Sequence, residues 1–208
     1  MKLLIAIPSI DFMHAAFVQS LTALTKRLWK DGVDFDVKIE TGTLVYLARN
    51  KLALFAMQND YTHVLWLDSD MVFTENLLDD LMFSGKDFVT GIAVGRRPPF
   101  LSCLFKDLRT CERIEVFPNN TFEVAGCGFA CVLISVEIIR DVQMTFGSCF
   151  NPTDTLGEDV AFCDRATFCN HRIYAEPGAK LGHVGHITVY PDDREKWRAN
   201  MEVNHGTN

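Results

Sequence analysis

The first ninety-odd residues alternate between short apolar runs and longer segments with helical spacing, and this alternation restricts the fold more than any other feature. The continuous apolar runs Lys2–Ile7 and His63–Leu67 predict buried strands. Phe12–Lys30 and Leu44–Asn59 carry apolar residues three and four positions apart, which predicts helices. Because strands that alternate with helices of this length form βαβ units, the sequence predicts a parallel sheet.

The second half of the chain has a different pattern. Three segments, Leu101–Phe105, Arg113–Phe117 and Thr121–Ser135, are strand-like, and Glu158–Asn170 has the spacing of a helix. The sequence contains no internal repeat and no linker rich in Pro, Gly or Ser. We therefore expect one α/β domain of Rossmann-like architecture over residues 1–208, with a central, mostly parallel sheet, helices on both faces and a smaller mixed β region.

Composition and charge exclude several classes of protein. Of the 208 residues, 48% are hydrophobic and 23% are charged, as in a globular domain with a buried core. The net charge of −7 argues against a nucleic-acid partner, which would favour a basic face. No apolar run reaches the roughly 18 residues of a transmembrane helix, and Pro8 and Asp11 interrupt the first run too early for a signal peptide. We therefore expect a soluble, cytoplasmic protein.

The seven cysteines, an odd number without any CxxC pair, match neither a zinc ribbon nor a secreted disulfide framework. We interpret most of them as small buried hydrophobic side chains in a reducing compartment. A disulfide between Cys103 and Cys111 is the alternative for that pair.

The strongest candidate for a functional motif is Asp68-Ser69-Asp70, directly after the apolar run His63–Leu67. Ligands of open parallel sheets bind beyond the carboxyl ends of the strands, where these residues are expected to lie. In extended geometry Asp68 and Asp70 project to the same side, and a divalent cation would relieve the repulsion between the two carboxylates. A solvated turn is the alternative, but the position in a βαβ series favours a metal or phosphate site.

Two acids, Glu158 and Asp159, open the helix that follows Leu156-Gly157. An acid in the first turn of a helix is favoured by the helix dipole, so capping alone would explain them. An ionised carboxylate that reaches a hydroxyl group can also act as a general base. The pair is ambiguous by itself, and we favour the catalytic interpretation.

The third motif, residues 181–186, reads LGHVGH and contains two histidines, each beside a glycine. A single histidine in a strand is usually structural, but a neutral imidazole is also a good ligand for a divalent metal that carboxylates already hold. Side chains three residues apart in a strand point to opposite faces. We therefore expect one of His183 and His186 to bind a metal and the other to pack.

Two weaker signals complete the candidate site. Arg49 and Asn50 lie in the second predicted helix, near the ligand edge of the sheet, where an arginine suits phosphate or the edge of a base. A solvated helix face is the alternative for these two residues. Gly126 and Gly128 interrupt a strand pattern, which the close approach of a ligand or a β-bulge would explain.

Together these segments resemble glycosyltransferases of the GT-A type. The motifs occur in the order found in that family: Pro8-Ser9, Ala48-Arg49-Asn50, WLDSD, GCGFACVLIS, GEDVAFCDRA and LGHVGH. The resemblance extends over nearly the whole chain, and it is strongest to small bacterial, phage and large-virus members with little beyond the catalytic domain. It implies a single GT-A domain in which residues 1–100 form the nucleotide-binding half, residues 101–199 the acceptor and metal half, and residues 200–208 a flexible tail.

The resemblance also implies roles for the residues that would bind the donor. Pro8-Ser9 matches the loop that lines the nucleobase, and Arg49-Asn50 matches residues near the nucleoside and diphosphate. Gly126 and Gly128 match the strand beside the donor sugar. The motif Asp68-Ser69-Asp70 would contact the donor and its metal.

For the metal and the reaction, the resemblance implies that Asp70 ligates Mn²⁺ or Mg²⁺ directly, while Asp68 faces ribose or a metal-bound water. His183 matches the late metal-ligand histidine better than His186 does. Asp159 lies where inverting enzymes keep their general base, and Glu158 beside it would touch acceptor or donor hydroxyls.

The implied activity is metal-dependent transfer of a sugar from a UDP-linked donor to a hydroxyl of a glycan or another acceptor, with inversion. A retaining glycosyltransferase, a nucleotidyltransferase and a non-catalytic nucleotide-sugar-binding module are the alternatives. The nucleotidyltransferase is disfavoured because residues 8–15 contain no Gly, Lys or Arg to hold a triphosphate. An aspartate-nucleophile phosphatase is disfavoured because it carries its two acids after the first strand.

Larger members of the family have more C-terminal structure that binds the acceptor. We therefore expect a further C-terminal module or a partner chain to contribute to acceptor binding. If the chain is viral, the host cytoplasm is the expected compartment.

Overall fold

The structure, a computed structural model, describes residues 1–97 and 99–185. The strands in chain order are β1 Lys2–Pro8, β2 Asp34–Glu40, β3 His63–Leu67, β4 Met71–Val72, β5 Phe88–Ile92, β6 Leu104–Asp107, β7 Glu112–Arg113, β8 Phe122–Val124, β9 Gly126–Cys127, β10 Cys131–Ser135, β11 Ile173–Lys180 and β12 Gly182–His183. The helices are α1 Ala15–Lys30, α2 Val45–Gln58, α3 Leu77–Phe83, α4 Val136–Phe146 and α5 Glu158–Phe168.

Seven strands form the central sheet, in the order β2-β1-β3-β10-β5-β11-β8. Strands β2, β1, β3, β5 and β11 run in one direction, while β10 and β8 run in the opposite direction. The prediction of an α/β fold around a mostly parallel sheet is therefore confirmed. Two smaller antiparallel sheets, β7-β6-β9 and β12-β4, accompany the central one.

The buried side chains of β3 alternate between the two faces of the central sheet, as the two-residue period of a strand requires. Val64 and Trp66 belong to one core, and Leu65 and Leu67 belong to the other. Residues of α2, α4 and α5 complete the first core, whereas residues of α1 and α3 complete the second. The predicted helices on both faces are thus confirmed, and burial on both sides explains why β3 is apolar throughout.

An aromatic cluster in the first core holds α5 against the sheet. Phe162 of α5 stacks on Phe150 with ring centroids 4.6 Å apart, and Phe150 lies 5.1 Å from Trp66 of β3. Phe129 contacts both Phe150 and Phe162, and these four side chains are at most 1% exposed. Burial of a large aromatic side chain stabilises a fold by about 2–3 kcal/mol. The cluster therefore fixes the N-terminus of α5 relative to the end of β3.

The strand-like segment Thr121–Ser135 forms three short strands with three different sets of partners. Strand β8 pairs with β11, β9 pairs with β6, and β10 lies between β3 and β5. A local apolar pattern does not contain this information, since the partners are distant in sequence.

Helix α1 begins at Ala15 and not at Phe12, because the residues after β1 form a loop with its own hydrogen bonds. The Ser9 hydroxyl donates to the Phe12 carbonyl at 3.1 Å, and the backbone N–H of His14 donates to the Ser69 carbonyl at 3.3 Å. These bonds hold the loop after β1 against the loop after β3.

All seven cysteines are free, so the disulfide between Cys103 and Cys111 is not present. Cys127, Cys131 and Cys149 are buried, as is Cys163, in agreement with their interpretation as small hydrophobic side chains. Within the described ranges, no helix combines the length and the apolar character that crossing a bilayer would require.

Candidate active site

The loops after β1 and β3 meet the N-termini of α2 and α5 around a cleft of about 220 Å³. The residues that line it are Pro8, Ser9, Ile10, Thr43, Val45, Ala48, Arg49, Asp68, Ser69, Asp70, Glu158 and Asp159. The structure therefore brings together eight of the predicted site residues. Their distribution follows from the sheet, because β1 and β3 are parallel neighbours whose carboxyl ends lie at one edge.

Arg49 is a buried cation at the floor of this cleft, with only 2% of its surface exposed. Its Nη2 donates to the Asp68 Oδ1 at 2.8 Å, and its Nε lies 3.9 Å from the Glu158 Oε1. The guanidinium lies 5.3 Å from the ring centroid of Phe129. Its Nε and Nη1 have no hydrogen-bond partner among the residues that the structure describes. Because buried donors are rarely left unpaired, these two nitrogens favour a ligand that carries acceptor oxygens.

Asp68 follows β3 directly, and its backbone N–H donates to the Ala130 carbonyl at 3.1 Å. Burial by the surrounding protein raises the pKa of its carboxyl group above the ordinary value. The Arg49 guanidinium acts in the opposite direction, while the negative charges of Asp70 and Asp159 raise the pKa further. Three carboxylates thus influence one another at this edge of the sheet, and one arginine partly neutralises them.

Asp70 meets His183 because the short strands β4 and β12 pair with each other. His183 pairs with Met71 in this ladder, and the Val184 N–H donates to the Asp70 carbonyl at 2.8 Å. The His183 Nδ1 lies 2.9 Å from the Val94 carbonyl oxygen, which can only accept, so Nδ1 carries a proton. The other ring nitrogen, Nε2, lies 3.3 Å from the Asp70 Oδ2. This nitrogen is therefore directed at the carboxylate that the sequence predicts as a metal ligand.

Arg96 is a site residue that the sequence analysis missed. Its Nη1 lies 2.6 Å from the same Oδ2 of Asp70. The signal in the sequence was the pair Arg96-Arg97 directly after Gly95, close to the end of strand β5. Arginines after a strand of a parallel sheet lie at the ligand edge, and that rule would have found them.

A preformed metal cluster of three protein side chains is not found in residues 1–97 and 99–185. Asp68, Asp70 and His183 therefore do not act as three ligands that are already assembled, and Asp68 is paired with Arg49 instead. Of the three predicted ligands, Asp70 and His183 are the pair in contact with each other. A metal bound by this pair would need further ligands from a substrate or from water.

Glu158 and Asp159 form the first turn of α5, as predicted. The Asp159 Oδ1 accepts a hydrogen bond from the Val160 N–H at 2.7 Å, so this oxygen satisfies a backbone donor in the first turn of α5. The other oxygen lies beside Gly128, where an added Cβ would be 3.5 Å from Oδ2. Asp159 thus keeps one oxygen for other partners.

Four predicted site residues, namely Asn50, Gly126, Gly128 and His183, do not line the cleft in the described structure, and His183 lies beside it at Asp70. The Asn50 side chain accepts from the Phe150 N–H and donates to the Asn151 side chain, both at 2.9 Å. Gly126 is buried, and a Cβ there would lie 2.8 Å from the Leu108 Cδ2 and 3.2 Å from the Cys163 Cβ, so packing against these two side chains accounts for this glycine. Gly128 directly follows strand β9 and lies close to the Asp159 side chain. His186 lies outside the described residues.

Solved structures that share this fold include a viral protein and two proteins with glycosyltransferase-type names. The viral protein A197 from STIV matches with a TM-score of 0.61 and 22% identity over 89% of this chain and 87% of the other. The catalytic domain of Drosophila β1,4-galactosyltransferase 7, solved with xylobiose, matches with a TM-score of 0.57 and 14% identity over 93% of this chain and 78% of the other. GalNAc-T7, solved with UDP, GalNAc and Mn²⁺, matches with a TM-score of 0.57 and 11% identity over 90% of this chain and 44% of the other.

At these identities the similarity shows the fold alone. The chain has the fold of GT-A glycosyltransferase catalytic domains, which agrees with the resemblance seen in the sequence. No protein-family model and no curated protein matches the sequence.

Proposed function

We propose that the chain is a metal-dependent glycosyltransferase that moves a sugar from a nucleotide diphosphate donor, with UDP favoured, to a hydroxyl of a glycan or another acceptor. The observation that carries the proposal is the approach of the His183 Nε2 to the Asp70 Oδ2, at 3.3 Å, beside the cleft that contains Arg49 and Asp159. The fold supports the same class, because two proteins that share it are named as glycosyltransferases or solved with UDP and Mn²⁺.

Asp70 and His183 suit a divalent ion such as Mn²⁺ or Mg²⁺, since one offers a carboxylate oxygen and the other an imidazole nitrogen. The donor diphosphate and water would complete the ligand set. Bound there, the ion would stabilise the negative charge that develops on the leaving diphosphate. Arg96 contacts the same oxygen of Asp70, so its guanidinium would move towards other acceptors when the site is loaded.

Arg49 would hold the donor through its positive charge and through Nε and Nη1, which have no hydrogen-bond partner among the described residues. Its position is fixed by Asp68 and by the faces of Trp66 and Phe129, so little side-chain entropy is lost on binding. Pro8 and Ser9 on the opposite wall would contact the nucleoside. Preference for uridine rests on the family resemblance and on the UDP in the GalNAc-T7 structure.

Asp159 would act as the general base in an inverting displacement. Its Oδ1 is engaged by the helix start, and its Oδ2 would accept the proton of the acceptor hydroxyl. The hydroxyl oxygen would attack the anomeric carbon from the face opposite the leaving diphosphate, so no protein nucleophile is needed. Glu158, which lies near Arg49, would contact a sugar hydroxyl.

The proposed function includes the division of the chain into a donor half, residues 1–100, and an acceptor and metal half, residues 101–199. Both parts line the cleft, which supports this division. Arg49, Asp68 and Asp70 come from the first part, and Glu158 and Asp159 come from the second. Free thiols at all seven cysteines support a reducing compartment such as the cytoplasm.

The first experiment measures whether UDP stabilises the chain against thermal unfolding in the presence of Mn²⁺, since a ligand that binds only the folded state raises its stability. Stabilisation by UDP with Mn²⁺ and its loss on chelation are expected for the wild type. Asp70→Asn and His183→Ala should each remove the metal-dependent part and leave the fold intact. Asp164→Asn, which removes an exposed acid from α5, is the matched control. Unchanged Mn²⁺ dependence in both site variants would overturn the metal assignment.

The second experiment identifies the product. UDP-sugars are tested for transfer to simple glycosides, and the anomeric configuration of the product is read by NMR. Inversion is expected, and Asp159→Asn should abolish transfer while it keeps UDP affinity, because the amide keeps the shape and lacks the basicity. Retention of configuration would replace the inverting mechanism by a retaining one.

A further inference from the structure

A second and larger cavity, of about 530 Å³, shares no lining residue with the cleft among the described residues but is linked to it through two residues that contact Asp70. Arg96 and His183 line it, and both contact the Asp70 Oδ2. Arg97 and Arg113 complete its basic lining, and the lining contains no acidic residue in the described part of the chain. In a chain with a net charge of −7, three arginines around one cavity are a local reversal of charge. We propose that this cavity is an acceptor subsite that binds an anionic group of the acceptor, a phosphate or a carboxylate.

The loop that carries two of these arginines is held at its base by backbone hydrogen bonds. Val94 and Ser102 form a bridge at its base, and the Gly95 N–H donates to the Leu101 carbonyl at 2.8 Å. Gly185 packs against this loop, because a Cβ there would lie 3.1 Å from the Arg96 carbonyl oxygen. The base of the loop and Arg96 are therefore held beside β12, and Arg96 and Arg97 both line the cavity.

The side chain of Arg113, the third arginine of the cavity, is held by contacts with Ser102 and Phe105. Its guanidinium donates to the Ser102 carbonyl and lies 4.8 Å from the ring centroid of Phe105. Over the described residues, neither Arg97 nor Arg113 forms an ion pair with a carboxylate. A guanidinium has five N–H donors in a planar fork that suits phosphate and carboxylate oxygens. Two such charges without an acidic partner in one cavity therefore favour an anionic ligand.

Cys103 connects the basic cavity to the carboxylate that would act as base, because both Arg113 and Asp159 act on its thiol. A Cβ at Gly128 would lie 3.4 Å from the Cys103 Cβ and 3.5 Å from the Asp159 Oδ2. Cys103 directly follows Ser102, the residue that holds Arg113. The electrostatics agree: burial raises the pKa of the Cys103 thiol, Arg113 lowers it and Asp159 raises it. Arg113 and Asp159 thus act on the same thiol, and we expect an acceptor whose hydroxyl reaches Asp159 to direct its anionic group towards Arg113.

The inference rests on the proposed function, because it assigns the cavity to the acceptor of that reaction. The rival ligand is an anion of the donor itself, namely its diphosphate. The two sources are separated when the donor side is first filled with Mn²⁺ and UDP, and the second anion is then added.

The experiment titrates phenyl phosphate and phenyl β-D-glucuronide into the full chain saturated with Mn²⁺ and UDP, followed by calorimetry. Phenyl β-D-glucoside is the neutral counterpart. We expect saturable binding of at least one of the two anions and weaker binding of the glucoside. The double variant Arg97→Gln/Arg113→Gln should bind that anion about tenfold or more weakly, which corresponds to the loss of charge-assisted hydrogen bonds. Its affinity for UDP should stay within about twofold of the wild type.

The matched control is Lys106→Gln/Arg172→Gln, which removes two positive charges from exposed ion pairs elsewhere on the surface. It should bind the anion like the wild type. Arg97→Gln alone and Arg113→Lys serve as further variants if the double variant does not fold, since Arg97 is exposed and lysine keeps the charge.

Absence of anion binding, equal binding by the double variant, or equal binding of the glucoside would contradict the subsite. Loss of UDP affinity in the double variant would assign the arginines to the donor and overturn the acceptor role. If UDP fails to bind the wild type, the proposed function fails, and the same titration without UDP then decides whether the cavity binds anions at all.

Discussion

His183 and Asp70 are 113 residues apart in the chain, yet the Nε2 of the histidine lies 3.3 Å from the Oδ2 of the aspartate. The contact depends on a ladder of two residues on each strand, in which His183 pairs with Met71. The Val94 carbonyl binds the opposite ring nitrogen and fixes the orientation of the imidazole. The candidate metal site is therefore set by backbone pairing and by one carbonyl as much as by the two ligands.

Arg49→Met should destabilise the fold by about 1–3 kcal/mol, because Asp68 loses its charged hydrogen-bond partner in a partly buried site. The variant should also bind UDP more weakly, since the guanidinium and the two nitrogens without a hydrogen-bond partner in the described residues are removed. Urea unfolding and UDP titration measure the two effects. Arg140→Met, at an exposed position of α4, is the control and should change stability by less than about 0.5 kcal/mol. Equal stability of the two variants would contradict the structural role of Arg49.

The stability of the wild type relative to Asp68→Asn should depend on pH. The pKa of Asp68 is raised in the folded state, so the folded chain binds this proton more tightly than the unfolded chain does. The wild type therefore loses stability relative to the asparagine variant as pH rises through the window above the ordinary carboxyl pKa, and regains it as pH falls. Urea unfolding of both proteins between about pH 4 and about pH 7 measures this difference. A difference that stays constant, or that changes in the opposite direction, would contradict the raised pKa.

Asn50→Ala should reduce turnover more than donor binding. Asn50 ties the loop that leads to Asp159 to helix α2, through Phe150 and Asn151. Loss of this amide leaves a backbone N–H without its acceptor, which should cost about 1–2 kcal/mol of stability. Asn59→Ala removes an exposed amide that donates to the Phe55 carbonyl, and it should change neither property. If Asn50→Ala instead weakens UDP binding with turnover at saturation unchanged, the predicted contact with the donor is correct.

Substitution of the two glycines in the β9 region, Gly126 and Gly128, should distinguish a role in packing from a role in catalysis. Gly126→Ala places a methyl group 2.8 Å from the Leu108 Cδ2 and 3.2 Å from the Cys163 Cβ, so we expect a loss of about 1–3 kcal/mol from overpacking. Gly128→Ala meets only ordinary contacts, with the Cys103 Cβ and the Asp159 Oδ2. It should fold with nearly wild-type stability and lose transfer activity, because the methyl group lies against the proposed base. Thermal unfolding and a transfer assay compare the two variants, and an active Gly128→Ala enzyme would place the acceptor elsewhere.

Much of the fold follows from short-range pattern in the sequence. The continuous apolar run of β3 predicts a strand that is buried on both faces, and Leu65 and Trp66 indeed belong to opposite cores. The position of Asp68 and Asp70 at the end of that strand, and of Asp159 in the first turn of α5, was likewise predictable. In these cases the strand period, the helix spacing and the strand direction are local properties of the sequence. They can be predicted without knowing which other segment of the chain packs against the element.

The tertiary structure decided the remaining features, because they depend on pairs of residues that are distant in the chain. Asn50 and Gly126 follow the family pattern, yet one ties down the loop before α5 and the other makes room for Leu108. Arg96 reaches Asp70 only because a loop closes at Val94 and Ser102, and His183 reaches it only through a ladder of two residues. Elements this short have no period that a sequence could display. The residue types at the ligand edge were therefore determined by the sequence, and their mutual contacts were determined by packing.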